Sequence, residues 1–580
     1  MTPRTQGRLL LGIAIVCAVL LYARTLHFDF VYDDWPQIVR NPHLQSVSYI
    51  PQYFTEDVWS QNQSLSLDQS TYYRPVFLLW LLLNRSLFGI SPAGWHATSL
   101  GLETVAICLL FIVGTNLSGD PVTGGIATLI FAIHPANIES VAWVSSSSEL
   151  LMGVFLLLSF LSFLRFRASG QTTNLLLSVF TFALALGCKE TAVSFPLILI
   201  WHEWSYRRCD SEFEPVQTTG TKHPAIVERL GPYFVAILIY FLFRIAALGY
   251  AFGSVKTVSR TVALLTMPSA LFFYLHHLVV PSGLSCFYDL SYIETASSAK
   301  LRIGLLLSIL AVGLIWLLAR RVQAGRAALG WVFLPLLPPL AGLAQFQRGD
   351  LVHDRYLYLS TMGFAVLVAA LFTEVKRRNW EGPAKGVLFI TIVSCFVWFS
   401  VTQIGAWRNK LALYRRAVQI APRSVLALDN LANELYRQKD FVGAISAYQR
   451  SLAVDPTSWK TNFAFAVTLV DIDSSNDLVA EFDRATHIEP WNAGQYILLA
   501  RILEQQNLLW DAEKTIDLGL VVAGNSAELH FELGSLMEKR GDLGDARAEY
   551  QRTLVLDPQR QDAASRITSF VRPTSRPSRE

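Results

Sequence analysis

Eleven apolar runs, each close to the length of a membrane crossing, occupy the first 405 residues, and nothing else in the sequence restricts the fold as strongly. A bilayer core about 30 Å thick takes roughly 20 apolar residues as a helix, because backbone groups in lipid must satisfy one another within the segment. The runs lie at 9–26, 95–115, 122–143, 149–166, 172–188, 190–205, 231–250, 302–319, 329–345, 356–373 and 384–404. Two further apolar segments are left open as crossings: 75–90 contains Asn84 and Arg85, and 264–280 carries His276 and His277.

With 52% of 580 residues hydrophobic and 16% charged, the chain is too apolar for a water-soluble protein of its size. A net charge of +3 gives no reason to expect a nucleic-acid partner. The six cysteines include no CxxC pair and lie mostly inside apolar runs, so they read as small core residues rather than a zinc site or a disulfide frame. The basic, then apolar amino terminus has no small-x-small cleavage pattern after it and reads as an uncleaved first span.

Basic residues gather on the cytoplasmic side of membrane proteins. The clusters Arg4/Arg8, Arg165/Arg167, Arg207/Arg208, Arg320/Arg321 and Lys376/Arg377/Arg378 all fall on one side if the eleven runs cross and the two open segments do not. The amino terminus is then cytoplasmic, while the first outer loop, 27–94, and everything after 405 lie outside the cytoplasm, at the inner membrane if the source is bacterial.

Beyond 405 charged residues become frequent and apolar ones recur at helical spacing. Pro422, Pro456, Pro490, Gly524 and Pro558 stand 34 residues apart, the period of tetratricopeptide (TPR) helix pairs. Ala444 and Tyr448 precede Pro456 as Ala546 and Tyr550 precede Pro558, and Tyr414 precedes Pro422 as Tyr448 does Pro456. Residues 406–562 therefore read as a half repeat and four full ones, a TPR α-solenoid, with a disordered tail at 563–580. Such stacks leave a concave groove that takes a peptide or protein segment.

Ionisable residues in apolar runs cost about 2.5 to 3.5 kcal/mol each on insertion scales and so suggest function. They are Glu103, His134, Glu139, Glu149, Lys189, Glu190, Arg244, His276, His277, His353, Asp354 and Arg355, most at the outer ends of their spans. Each has a plainer reading: HPANIE (134–139) as a helix end stopped by Pro135, GCKET (187–191) as a turn with Lys189 paired to Glu190, HDRYLYL (353–359) as an aromatic belt, and His276 and His277 as solvated interfacial residues. Glu103, deep in its run, fits a headgroup contact least. No spacing marks a metal site, and a divalent cation is left open.

On the same outer side sits FVYDDWPQIVRNP, with adjacent Asp33 and Asp34. A lipid-linked phosphate donor needs guanidinium or ammonium groups, for which Arg74, Lys189, Arg244 and Arg355 qualify. An attacking hydroxyl needs a carboxylate base, for which Asp33 or Asp34 would serve. Adjacent acids on an extended segment point opposite ways, so one can face the acceptor and the other structure the loop.

With FVYDDWPQIVRNP, YYRPVFLLWLLLN (72–84), SPAGWHATSL (91–100), HPANIESVAWVSSSSELL (134–151), GCKET and HDRYLYLSTMGF (353–364) in this order before a TPR array, the chain resembles the GT-C glycosyltransferases. It is most similar to the protein O-mannosyltransferase-like membrane proteins with carboxy-terminal TPR repeats. The resemblance implies transfer of a sugar from a polyprenyl-phosphate donor to an acceptor hydroxyl outside the cytoplasm, with inversion and with the acidic pair as catalytic centre. On family likeness the base falls to Asp34 in preference to Asp33, although the residues themselves leave the choice open. His134, Glu139, Glu149, Lys189 and Arg355 match family positions and are expected, with Arg74 and Arg244, to bind the donor's phosphate or sugar. Animal members use dolichol-phosphate mannose on Ser or Thr; here the HPANIE box and short 206–230 loop have a prokaryotic look, which leaves sugar and acceptor open. A protein or peptide acceptor, held through the TPR groove, is the expected partner besides membrane lipid and donor.

Two rival readings are an O-antigen ligase or polysaccharide polymerase and a non-catalytic TPR scaffold for an envelope complex. The first predicts a large outer loop late in the membrane domain, and no loop after 250 is long enough. The second does not need eleven spans with charges gathered on one face.

Overall fold

The computed structural model describes residues 1–60, 72–210, 226–250, 258–377, 383–471, 493–505 and 507–571. Among these residues every regular element is a helix. They form two compact units, Met1–Pro422 and Arg423–Glu580.

The first unit is a multi-pass membrane protein. Nine of its described helices are long and apolar enough to cross, and a tenth candidate is the pair Pro121–Ile133 and Pro135–Ala142, bent by 58°. That bend is the HPANIE segment. Pro135 ends the ladder, His134 Nδ1 accepts from Ala136 N, and Asn137 Nδ2 donates to the Phe131 carbonyl.

The helix bounds differ in places from the runs read in sequence. Thr172–Cys188 has 17 residues, and 190–205 divides into a short 3₁₀ turn, Glu190–Ser194, and the 16-residue helix Phe195–Asp210. Apolar character continues through both, but Lys189 and the turn interrupt the helix. The 75–90 segment is the helix Pro75–Phe88, whose 14 residues reach only about 21 Å at 1.5 Å per residue.

Arg260–Val279 is long and apolar enough to cross. Just before its start Val258 N donates to the Ala344 carbonyl (3.4 Å), and at its end His277 Nδ1 bonds Asp354 Oδ1 (2.9 Å). Rather than being solvated, His277 is buried.

Small residues let the helices approach closely. A Cβ on Gly7 would fall 2.4 Å from the Pro121 carbonyl oxygen, and one on Gly125 would lie 2.7 Å from Leu10 Cβ, so Pro3–Tyr22 and Pro121–Ile133 meet backbone to backbone. At the centre is Val144–Ser169, 83% buried across its apolar window against 11% for the peripheral Ala299–Ala319. The amino-terminal end of this central helix carries the site described below.

The extended segment 280–293 is fastened at several points. Gln403 Oε1 accepts from Leu284 N (2.7 Å), Gln403 Nε2 donates to the Pro281 carbonyl (3.1 Å), and Arg416 Nε donates to the Leu284 carbonyl (3.2 Å). Arg416 stands on Lys410–Ile420, the first helix of the 34-residue period. That helix therefore packs within the first unit, past the change of composition at 405.

The second unit is a TPR-type solenoid. Its described helix pairs are Val425–Arg437 with Phe441–Val454, Ala493–Gln505 with Leu509–Val522, and Ala527–Arg540 with Leu543–Leu556. Trp459–Asp471 opens another repeat, and Gln561–Val571 follows the last pair. Pro490, the second half of that repeat and the tail beyond 571 lie outside the described residues. The repeated positions form the core: Ala444 and Tyr448, Ala512 and Ile516, and Ala546 and Tyr550 are all buried. Small residues admit the neighbouring helix and the larger ones fill the gap, as a stack with no other core requires.

Candidate active site

The acidic pair does not lie on an extended segment. Tyr32 takes a positive φ of 46°, rare for a side chain of this size, and turns the chain so that Asp33 and Asp34 diverge. The turn is braced on both sides. Val31 N donates to Asp34 Oδ2 (2.9 Å), Trp35 Nε1 donates to the Phe30 carbonyl (3.1 Å), and the Tyr32 ring lies against Trp143 and Phe287 at centroid distances of 5.6 and 5.7 Å. A short π-helical turn, Trp35–Val39, follows at once.

Asp34 points into protein and is fully buried. Its Oδ1 accepts from Ser145 N (2.7 Å) and Ser145 Oγ (2.6 Å). Burial pushes its carboxyl up to about 6, against the lowering effect of these bonds and that from Val31. Asp33 is partly exposed on a chamber wall, and among the described residues no hydrogen bond reaches its carboxylate. Burial raises it further, to about 7, with nearby Arg355 opposing.

The chamber has a volume of about 60 Å³, and Asp33, Arg74, Lys189 and Arg355 are among its lining residues. Beside it opens a cavity of about 480 Å³ lined largely by apolar residues such as Leu197, Phe241, Leu337 and Pro338. The two spaces share Tyr72, Arg74, Lys189 and Tyr356; Arg244 and Glu190 line the larger one, and Asp33 lines the smaller.

Each cation is held by a carboxylate. Arg74 makes a forked pair with Glu190, with Nε and Nη2 at 3.0 and 2.8 Å from Oε2, and Arg244 reaches the same Glu190 at 3.8 Å. Lys189 hydrogen-bonds Glu149, and burial pulls its amine down to about 8. Arg355 bonds Glu139 at 2.5 Å and lies over the rings of Trp143 and Tyr356 at 5.0 and 5.3 Å. At the larger cavity the two guanidinium groups on Glu190 leave an excess of positive charge, suited to a phosphate.

The sequence candidates thus separate by position. Asp33, Arg74, Lys189 and Arg355 meet at the chamber, and Arg244 meets Arg74 at the larger cavity. Glu139 and Glu149 stand behind Arg355 and Lys189, and Asp34 is bonded to Ser145. His134 is elsewhere: its Nε2 bonds the Leu278 carbonyl at 3.0 Å, tying the HPANIE bend to the end of Arg260–Val279. Glu103 accepts from the Tyr358 hydroxyl (2.6 Å) inside the bundle and lines neither space. Asp354 is the hub of a separate buried cluster with His277 and Tyr288.

Sequence reasoning did not single out Gln37, Tyr72, Trp143, Ser145, Ser146 or Tyr356, which build the rest of the wall or hold it in place. The serine run at 145–148 was the available signal for two of them. Among the described residues, no three His, Cys, Asp or Glu side chains converge as a metal site.

No protein-family model matches the chain. It is similar to Protein O-mannosyl-transferase F38B6.6 of Caenorhabditis elegans, with 25% identity over 470 residues, 78% of this chain and 64% of the relative. It is likewise similar to Protein O-mannosyl-transferase TMTC3 of Mus musculus (21% over 583 residues, 93% and 63%) and TMTC4 of Homo sapiens (27% over 508 residues, 77% and 66%). The chain thus spans just under two thirds of the length of these curated relatives. Among solved structures, YrrB, a TPR protein, aligns with 33% of this chain and 96% of its own at 14% identity, with a TM-score of 0.22.

Proposed function

We propose that the membrane unit is a glycosyltransferase that moves a sugar, with mannose the first candidate, from a polyprenyl-phosphate donor to a Ser or Thr hydroxyl of a protein. The observation that carries this reading is the shared cationic wall, with an apolar cavity on one side and Asp33 on the other. The names of the similar proteins point the same way.

The polyprenyl chain occupies the apolar side of the larger cavity, and its phosphate meets Arg74, Arg244 and Lys189. The acceptor hydroxyl enters from the chamber, where Asp33 takes its proton. The oxygen bonds to the anomeric carbon as the bond from that carbon to the phosphate oxygen breaks, and the lipid phosphate leaves with its charge on the cationic wall. Attack from the side opposite the leaving phosphate inverts the anomeric centre. Hydrogen bonding favours Asp33 over Asp34 as the base, since the Asp34 carboxylate is already committed to Val31 and Ser145.

In this reading the amino terminus is cytoplasmic and the site faces the other side. In the same reading Arg260–Val279, whose ends reach Ala344 and Asp354 on either flank of one short connection between two spans, lies along the membrane surface and does not cross. With it and Pro75–Phe88 not crossing, eleven crossings remain, and the repeat array lies on the same side as Asp33, where it recruits the acceptor protein.

The test is incubation of the purified protein with a panel of labelled polyprenyl-phosphate sugars and envelope proteins. Label on a Ser or Thr, lost in Asp33→Asn, is the expected result; no transfer from any donor overturns the proposal.

A further inference from the structure

Three buried polar atoms on the chamber side have no hydrogen-bond partner among the described residues: Gln37 Oε1, Trp143 Nε1 and Ser146 Oγ. All three residues line the space that Asp33 lines, and they are 6%, 4% and 2% exposed. Buried polar groups are normally hydrogen-bonded, so three unpaired ones around one space call for a polar occupant.

Their placement follows from the backbone. Gln37 stands one turn beyond Asp33, its backbone N–H donating to the Asp33 backbone carbonyl at 3.0 Å, so the turn that carries Gln37 is tied directly to Asp33. Ser146 follows Ser145, which Asp34 holds by two bonds. Trp143 is set by stacking on Trp407 (6.0 Å, 22°) and by the Arg355 guanidinium over its ring. Together the three offer two donors and an acceptor, Ser146 being able to act either way.

The occupant is small. A cavity of roughly 150 Å³ takes one benzene-sized ring, so the chamber of about 60 Å³ has room for a side-chain hydroxyl and the carbon bearing it, and a pyranose ring does not fit. The sugar therefore belongs to the larger cavity with its phosphate. Resting on the glycosyl-transfer reading, we propose that Gln37, Trp143 and Ser146 are the acceptor-positioning residues. They hold a Ser or Thr side chain against Asp33, and the chamber's size excludes larger hydroxyl-bearing side chains.

The experiment is steady-state transfer by the full-length protein from polyprenyl-phosphate mannose to peptides that differ only in carrying Ser, Thr or Tyr at one position. Gln37→Ala and Ser146→Ala are each expected to raise the acceptor KM roughly tenfold while the donor KM stays within about twofold, the loss of one hydrogen bond to the acceptor alone. Trp143→Phe, which keeps the ring for Arg355 and Trp407, is expected to act in the same direction. Ser and Thr peptides are labelled and the Tyr peptide is not.

A raised donor KM with the acceptor KM unmoved, or a change in which sugar is transferred, would place the sugar in the chamber and overturn the inference. So would unchanged kinetics in all three variants, or labelling of Tyr as readily as Ser. In each of these cases wild-type transfer leaves the glycosyltransferase reading standing. Absence of transfer by the wild type from any polyprenyl-phosphate sugar sinks that reading, and the acceptor assignment falls with it.

Discussion

Asp34 and Ser145, 111 residues apart in sequence, are joined through one carboxylate oxygen that takes both the amide and the hydroxyl of the serine. The bond pins the loop after the first apolar helix to the amino-terminal end of the central helix. It separates the tasks of the acidic pair, leaving Asp33 alone on the chamber wall.

Asp33→Asn is accordingly expected to lower transfer by about 10² to 10⁴, the range for loss of a general base. Asp34→Asn and Ser145→Ala loosen the loop without removing the base, and each is expected to cost on the order of tenfold. Rates of transfer from a polyprenyl-phosphate sugar decide it: a greater loss in Asp34→Asn than in Asp33→Asn reverses the assignment.

The pH dependence follows from the same groups. Asp33, raised by burial to about 7, must be ionised to accept a proton, so kcat/KM rises with pH up to that region. Lys189, pulled down by burial to about 8, must be protonated to hold phosphate, so kcat/KM falls again above that value. A bell with its maximum between the two is expected, and a profile flat below about pH 7 would rule out Asp33.

Arg74 grips Glu190 with a planar fork that lysine cannot reproduce. Arg74→Lys is expected to raise the donor KM by roughly tenfold with a smaller change in kcat, as for a group that binds ground and transition states alike. An unchanged donor KM would remove Arg74 from the phosphate site.

Topology is open to labelling in a cysteine-free background. Cysteines at Ser259 and Thr295, outside the two ends of Arg260–Val279, are expected to react with an impermeant thiol reagent from the non-cytoplasmic side. One at Arg320 is expected to react from the cytoplasmic side. Labelling of Ser259→Cys and Thr295→Cys from opposite sides would make the helix a crossing and move the repeat array.

Much of the architecture could be read from periodicity. Uninterrupted apolar length gave the membrane unit, and the 34-residue recurrence of Pro, Ala and Tyr gave the solenoid, because both folds repeat one local rule along the chain. The cations Arg74, Lys189 and Arg355 were visible because charge stands out in an apolar chain. What each one bonds was hidden: GCKET suggests that Lys189 pairs with its neighbour Glu190, yet Lys189 reaches Glu149 and Glu190 serves Arg74. Adjacent side chains diverge, and partners come from helices distant in sequence. For the same reason His134, conspicuous in sequence, braces a bend, whereas Gln37 and Ser146, ordinary in sequence, line the chamber. The dispositions of Asp33 and Asp34 depended on the left-handed turn at Tyr32, which no residue preference announces.

The bonds from Gln403 and Arg416 to residues 281–284 bear on how the protein can be cut. Phe287, on the same segment, rests against Tyr32, so the ring beside the acidic pair is held in part by a helix that the repeat period would assign to the solenoid. A fragment ended where the composition changes, at 405, would discard Arg416 and loosen that segment, leaving it the two bonds from Gln403. An excised membrane enzyme, or a chimera with another repeat array, should therefore be joined after Pro422.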